Sequence, residues 1–334
     1  MQRYIKPCEP GVDEMVRGIL GGDRHMLSRA ITLIESTKPD HEKRAHEILD
    51  RCLAEKKETI RIGITGSPGA GKSTFIEALG EMIISEGYRL AVLAIDPSSS
   101  RSRGSILGDK ARMEKLAGKH EAFIRPTASS GHLGGTSPKT HEAIVLCEAA
   151  GFDIIIVETV GVGQSEIMID SMVDFILLLM LPGSGDELQG IKRGIMEIAD
   201  AIAITKADGR QAELANVSKA DFAAALGMLP PRHHFHERKT FLTSSHSGTG
   251  ISEVWQEIRD TVALMRSNNA LQARRQEQLG KLLHTVLDAM LRARFFGDPS
   301  VQALQPGIEE QVRSGNLSPF SGAKVLIEAF HPKS

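Results

Sequence analysis

Gly66-Ser67-Pro68-Gly69-Ala70-Gly71-Lys72-Ser73-Thr74 fits the phosphate-binding pattern GxxxxGK[ST] and lies between two runs of different periodicity. Before it, Ile60-Arg61-Ile62-Gly63-Ile64-Thr65 alternates β-branched residues and predicts a strand; after it, Phe75, Ile76, Leu79, Met82 and Ile83 recur at helical spacing up to Gly87. Strand, loop and helix in that order are the context the motif requires. The glycines let the backbone wrap a phosphate, so that several N–H groups and the positive end of the helix point at it. Lys72 reaches the outer phosphates and the Ser73 hydroxyl can ligate Mg²⁺. The stretch therefore predicts a nucleoside triphosphate site in an α/β fold built on a mostly parallel sheet.

The composition sets the frame for that site. A chain of 334 residues is too long for one ordinary core, which predicts one large nucleotide domain with smaller appended elements. Forty basic against 42 acidic residues leave a net charge of −2 with no Lys/Arg block, which argues against nucleic acid or a membrane surface as partner. Cys8, Cys52 and Cys147 are isolated and lack CxxC spacing, which speaks against a disulfide framework or structural zinc and for a reducing, cytoplasmic setting. From Met1 to Gly21 nothing has the order of a signal peptide, and no apolar run reaches the ~18 residues of a membrane span.

Residues 1–57 predict a helical extension: Leu27, Ala30, Ile31 and Ile34 mark one helix, and Ala45, Ile48, Leu49, Cys52 and Leu53 a second. Lys38-Pro39-Asp40 breaks the two, with Asp40 placed to cap the second. The nucleotide domain is expected over 58–267. Within it, Leu90-Ala91-Val92-Leu93-Ala94-Ile95 reads as a strand buried on both faces, ending at Asp96. Asp96 is by itself either a turn aspartate or a carboxylate at the ligand end of a strand; the polar, glycine-bearing loop that follows, with a second acid at Asp109, favours the ligand reading.

The strand Asp153-Ile154-Ile155-Ile156-Val157 delivers Glu158-Thr159-Val160-Gly161-Val162-Gly163-Gln164-Ser165. In nucleotide hydrolases an acid at a strand end contacts Mg²⁺ directly or through water, and a glycine three residues on offers its N–H to the γ-phosphate. Here the acid is Glu158 and the sensing position is Gly161. The next buried strand, 175–181, leads to a glycine-rich charged segment, 183–194, that is either a solvated loop or an element that changes shape. After Ala201-Ile202-Ala203-Ile204 comes Thr205-Lys206-Ala207-Asp208, close to the guanine-reading NKxD box with Thr in place of Asn. An aspartate there accepts guanine N1–H and the exocyclic amine while the Lys206 stem packs on the base, so guanine is favoured over adenine. A further base-contacting loop is expected at Ser244-Ser245-His246.

Pro230-Pro231-Arg232-His233-His234-Phe235-His236 invites a metal reading, but without thiolate or carboxylate company at fixed spacing a surface loop is the stronger expectation. Residues 268–334 lie beyond the last sheet element. There Leu279, Leu282, Leu283, Val286, Leu287, Met290 and Leu291 form a helical apolar stripe that must be covered, either by the helical prefix or, as we favour, by a second subunit in a homodimer.

With these residues in view, the chain resembles the MeaB/ArgK family of GTPases, the methylmalonyl-CoA mutase-associated proteins. The likeness covers nearly the whole chain. It is carried by residues 66–74, Asp96-Pro97-Ser98-Ser99, Gly108-Asp109-Lys110, the run 158–166, and Gly185-Asp186-Glu187-Leu188-Gln189-Gly190-Ile191-Lys192-Arg193-Gly194. The resemblance implies a P-loop GTPase domain binding GTP/GDP, with Ser73, Asp96, Asp109 and Glu158 around Mg²⁺. Lys192 would belong to a third switch, giving Lys72, Glu158, Gly161 and Lys192 as the catalytic set. It further implies a chaperone for an adenosylcobalamin-dependent acyl-CoA mutase, with the cobalamin held by the partner, the mutase's adenosyltransferase as a further candidate partner, and a dimerising C-terminal arm. Departures are Thr205 in the base box and Ser244-Ser245-His246 where the family usually has Ser-Ala-Leu. Two other readings are a metallochaperone-type GTPase for nickel enzymes, for which only the histidine loop speaks, and a transport-system kinase, for which no kinase catalytic loop is present.

Overall fold

Runs such as Ile154-Ile155-Ile156-Val157 and Phe175-Ile176-Leu177-Leu178-Leu179 have no polar face, so they need cover on both sides, and a parallel sheet between helical layers supplies it. The computed structural model describes residues 10–55, 57–96, 113–128, 136–159, 168–184, 193–232 and 234–330. It divides into two compact units, Met1–Gln278 and Leu279–Ser334. The first holds β1 (Ile60–Gly66), β2 (Leu90–Asp96), β3 (Ala122–Ala128), β4 (Ile154–Thr159), β5 (Phe175–Met180), β6 (Ala201–Ile204) and β7 (Lys239–Leu242). They form one sheet in the order β3-β2-β4-β1-β5-β6-β7, every neighbouring pair parallel.

Among the described residues the helices of this unit are α1 (Val12–Leu20), α2 (Arg24–Ile34), α3 (Pro39–Leu53), α4 (Lys72–Ser85), α5 (Glu114–Ala117), α6 (Thr136–Ala149), α7 (Arg193–Ile198), α8 (Ala212–Gly227) and α9 (Ile251–Ser267). Alternate strand residues feed two cores. Ile176, Leu178 and Met180 join Leu27 and Ile31 of α2, Ile48 of α3, Ile144 of α6 and Phe222 of α8. Phe175, Leu177 and Leu179 join Phe75 and Leu79 of α4 and Trp255 and Ile258 of α9.

The helical prefix differs from expectation in two respects. Among its described residues it contains three helices, because Gly21-Gly22, with Gly22 at φ +78°, ends α1 before α2 begins. Asp23 caps α2, accepting from the N–H groups of His25 at 2.7 Å and Met26 at 3.2 Å. Asp40 does not cap α3: Pro39 takes the first helical position, for which its fixed φ suits it, so the cap falls on Lys38 and Asp40 lies inside the first turn.

α10 (Ala270–Phe296) begins in the first unit and continues into the second, which also holds α11 (Pro299–Arg313) and α12 (Pro319–Ala329). Asp298 caps α11 and Ser318 caps α12, each followed by Pro at the first helical position. Gly322 of α12 sits where an added Cβ would lie 3.0 Å from Ile308 Cγ2 of α11, and Phe295 meets Phe330 edge-on at 5.3 Å. On α10 the stripe residues Leu279, Leu283, Leu287, Met290 and Leu291 are exposed. Among the described residues no helix is long and apolar enough to cross a membrane.

Candidate functional site

The strand order creates the crevice. β1 sends its chain through α4 towards β2 on one side, whereas β4, its neighbour on that same side, sends its chain on to β5 beyond β1. Ligands in open α/β sheets bind at such a reversal, beyond the carboxyl ends of the strands. Both strong sequence signals arrive there.

β1 closes on Gly66, whose φ of +149° and position leave no room for a side chain: an added Cβ would stand 2.1 Å from the Leu179 carbonyl oxygen of β5. Gly69 and Gly71 also have positive φ, and Gly71 is the cap from which α4 starts at Lys72. The Lys72 side chain is buried along the loop, its Nζ donating to the carbonyl oxygens of Gly66 at 3.0 Å and Ser67 at 3.1 Å. The loop turns on itself, with the Ala70 N–H donating to the Ser67 carbonyl at 3.1 Å, and runs straight into the start of α4, a helix end of the kind that favours phosphate oxygens.

Ser73, one residue into α4, donates from Oγ to Glu158 Oε1 at 3.2 Å. Glu158 stands on β4 opposite Ile64 of β1 and Ala94 of β2. A hydrogen bond that sequence reading did not anticipate pins the two strand ends: Thr159 Oγ1 donates to Thr65 Oγ1 at 2.9 Å, both residues fully buried. Asp96 ends β2, the strand next to β4, with its Cα opposite Ala128. Asp109, Gly161 and Lys192 lie outside the described residues, as does most of the 183–194 segment.

Residues 205–208, expected from the sequence to read the base and called the base box below, lie at the end of β6. Thr205 is buried, and its hydroxyl donates to the Ala70 carbonyl of the phosphate loop at 2.8 Å, with the Met180 carbonyl at 3.2 Å as a second acceptor. The threonine that departs from the usual asparagine therefore ties the base box to the phosphate loop. Lys206 has φ +55°, which turns Ala207 so that its N–H bonds the Thr243 carbonyl at 3.0 Å. Asp208 Oδ2 accepts from Ser244 Oγ at 2.5 Å, and Ser244 Oγ accepts from Ser247 N–H at 3.2 Å, so the two base loops hold one another. Ser245 and His246 line a depression with Thr74, Glu77, Ala78 and Lys115.

The histidine loop has another role. His236 Nε2 meets Glu257 Oε1 at 2.6 Å and Thr261 Oγ1 at 2.9 Å on α9, and Lys239 Nζ holds the other carboxylate oxygen at 2.7 Å. Burial alone would raise the Glu257 carboxyl, but hydrogen bonds from His236 and Lys239 bring it below the ordinary carboxylate value. The opposite, amino edge of the sheet carries two ion pairs: Arg61 with Glu148 at 2.8 Å, both buried, and the part-exposed Arg275 with buried Asp174 at 2.7 Å. These partners lie far apart in sequence with no local pattern to announce them.

Comparison with known proteins places this geometry. The sequence profile described as "Methylmalonyl Co-A mutase-associated GTPase MeaB" matches residues 27–300. The chain is 44% identical over 329 residues to the mouse protein "Methylmalonic aciduria type A homolog, mitochondrial", covering 96% of this chain and 79% of the relative. It is 41% identical over 320 residues to GTPase ArgK of Escherichia coli K12, covering 96% and 97% of the two chains. Among solved structures it is similar to "LAO/AO transport system kinase", with TM-score 0.76, 34% identity, and coverage of 97% of this chain and 98% of that one.

Proposed function

Because this chain belongs to the MeaB family of methylmalonyl-CoA mutase-associated GTPases, we propose that its GTP hydrolysis drives a chaperone cycle on an adenosylcobalamin-dependent acyl-CoA mutase. In this cycle it gates loading or release of the cofactor and protects the mutase from inactivation. Methylmalonyl-CoA mutase is the partner we favour, with its adenosyltransferase as a further one, and the cobalamin stays with those partners. In this reading residues 1–57 are a helical extension, 58–267 the GTPase domain and 268–334 a homodimerisation arm. Free, buried Cys52 and Cys147 support a reducing cytoplasm.

The observation that carries the reading is the meeting of Lys72, Ser73 and Glu158 at the β1/β4 crevice, with Thr205 tying the base box to the same loop. The roles follow from chemistry. Backbone N–H groups where the loop enters α4, together with the Lys72 side chain, hold the β- and γ-phosphates. Asp208, oriented by Ser244, accepts the two donors of the guanine edge while Ser245 and His246 border the base. The Ser73 hydroxyl and Glu158 carboxylate are hard oxygen donors within 3.2 Å of each other, a set that fits Mg²⁺; Asp96, on the neighbouring strand, and Asp109 complete it in this reading. Bound there, Mg²⁺ would neutralise charge developing on the β/γ-phosphate oxygens. Gly161 contacts the γ-phosphate, and Lys192 of the third switch joins when the mutase docks.

No arginine stands in the phosphate loop, and GTPases lacking such a charge turn over at about 10⁻⁴ to 10⁻² s⁻¹. Steady-state GTP turnover with and without a B12-dependent mutase tests the reading. Alone, the protein is expected to be slow. The mutase should accelerate it, Lys192→Ala should keep GTP affinity but lose most of the acceleration, and Lys72→Ala should impair nucleotide binding or basal hydrolysis directly. Full stimulation in Lys192→Ala refutes the third-switch role, and no stimulation of the parent by any such mutase refutes the partnership.

A further inference from the structure

β1 and β4 are hydrogen-bonded side by side up to the pair Ile64 and Glu158, and there they part. Beyond that pair each ladder continues outwards: β1 runs on against β5, with Gly66 opposite Leu179, and β4 runs on against β2, with Thr159 opposite Ile95. The two walls of the crevice are thus built on different neighbours, Gly66 and the phosphate loop on one side and the Glu158 carboxylate on the other. One step past the last backbone pair, two hydroxyls 94 positions apart in the chain bridge the gap, Thr159 Oγ1 donating to Thr65 Oγ1. Thr65 directly precedes Gly66, and Thr159 directly follows Glu158. Because strand side chains alternate, the bridge lies on the other face of the sheet from Glu158, the face of Ile155 and Val157.

Two fully buried hydroxyls carry a desolvation cost that two valines of the same shape would not. What the hydroxyls supply is a spacing. An O–H···O bond settles at about 2.7–2.8 Å, whereas methyl carbons settle at about 3.5–4.0 Å. Valines here would press the crevice open by roughly 1 Å at the point from which both Gly66 and Glu158 spring.

We propose that Thr65 and Thr159 are positioning residues for the nucleotide site, their hydroxyl bond setting the spacing between the phosphate loop and the Glu158 carboxylate and so the fit of Mg²⁺ between Ser73 and Glu158. Neither is a ligand: each acts through its chain neighbour, Gly66 or Glu158. The proposal rests on the reading that Ser73 and Glu158 hold the metal. The phosphate loop and the base box both stand on the β1 side of the crevice and are tied to each other through Thr205, so the spacing governs metal binding and spares metal-free nucleotide.

The test compares Thr159→Val, the double variant Thr65→Val with Thr159→Val, Thr159→Ser and Glu158→Gln in the full chain. It measures GDP affinity in excess EDTA, GDP release across a Mg²⁺ titration, and the unfolding midpoint. Thr159→Val and the double variant are expected to raise the Mg²⁺ concentration that half-slows GDP release about tenfold, while GDP affinity in EDTA stays within about twofold of the parent. Removing both hydroxyls costs less stability than stranding one, so the double variant should unfold at a higher midpoint than Thr159→Val and still keep the Mg²⁺ defect. Thr159→Ser, which retains the hydroxyl, should titrate as the parent does. A Mg²⁺ requirement unchanged in Thr159→Val, or restored in the double variant, overturns the proposal, as does a parallel fall of GDP affinity in EDTA. Glu158→Gln separates the two ideas. If its Mg²⁺ requirement matches the parent's, the metal reading fails and takes this proposal with it; if its requirement rises while that of Thr159→Val matches the parent's, only the positioning role fails.

Discussion

Ser73 Oγ donates to Glu158 Oε1 across 3.2 Å, joining the first turn of α4 to the end of β4, elements that no sequence proximity connects. Glu158→Gln keeps this volume and removes the charge. Contacts to a charged group are worth ~1.5–3 kcal/mol, so the Mg²⁺ concentration giving half-maximal GTP turnover should rise about tenfold or more. A Mg²⁺ titration of turnover checks this, and an unchanged midpoint would remove Glu158 from the metal set.

The Thr205 hydroxyl joins the base box to the phosphate loop through Ala70. Thr205→Val keeps the shape and the backbone N–H bond to the Met180 carbonyl but leaves the Ala70 carbonyl short of a donor, at a cost of ~1–3 kcal/mol. Guanine nucleotides should leave about tenfold faster or more, with phosphate-side contacts intact, whereas Thr205→Ser should behave as the parent. Stopped-flow GDP release distinguishes them.

Asp208, steadied by Ser244 at 2.5 Å, should make GTP and GDP bind far better than ATP. Asp208→Asn replaces one acceptor by a donor and should shift preference towards xanthine nucleotides. Ser244→Ala should weaken guanine binding by roughly tenfold without changing the preference, because only the orientation is loosened. Equal affinity of the parent for ATP and GTP at fixed Mg²⁺ would end the guanine assignment.

Leu283 and Leu287 are exposed at 66% and 47% on α10, within the stripe we assign to a dimer. Leu283→Glu with Leu287→Glu would place unpaired charges in that contact, which is costly without a partner. Light scattering should give a dimer for the parent at micromolar concentration and a monomer for the double variant. A monomeric parent would reassign the stripe.

The lowered Glu257 carboxyl has a consequence for acid stability. A carboxylate held below its ordinary value of 4.5 contributes stability that is fully present above that pH and is lost as pH falls through the lower, folded value. Glu257→Gln should therefore flatten the loss of stability below about pH 4.5 and lower stability at neutral pH. Chemical denaturation at several pH values measures both.

Much of the site was legible because its chemistry fixes residue spacing. A phosphate loop needs its glycines, lysine and hydroxyl in one order, and the buried strands betray themselves by lacking a polar face. The third prefix helix was missed because Gly21-Gly22 acts as a stop only once the second glycine adopts positive φ, and Asp40 was misread because Pro39 already claims the first helical turn. The tether from Thr205 to Ala70 spans 135 positions and that from Thr159 to Thr65 spans 94, so neither leaves a local pattern. Such contacts follow from sheet order, which a periodicity argument leaves open.

The central place of β1 also governs the timing of synthesis. Its two neighbours, β4 and β5, begin at Ile154 and Phe175, so the strand that ends in the phosphate loop leaves the ribosome long before either flank exists. At about 5–20 residues per second it waits roughly 5 to 20 s for β4. A nascent chain stalled before β4 has emerged exposes an unpaired apolar strand carrying an idle phosphate loop. Nucleotide held as proposed also needs Glu158 at the end of β4 and the groups at the ends of β6 and β7, so its stabilisation by mass action rewards the last sheet-forming steps and not the first.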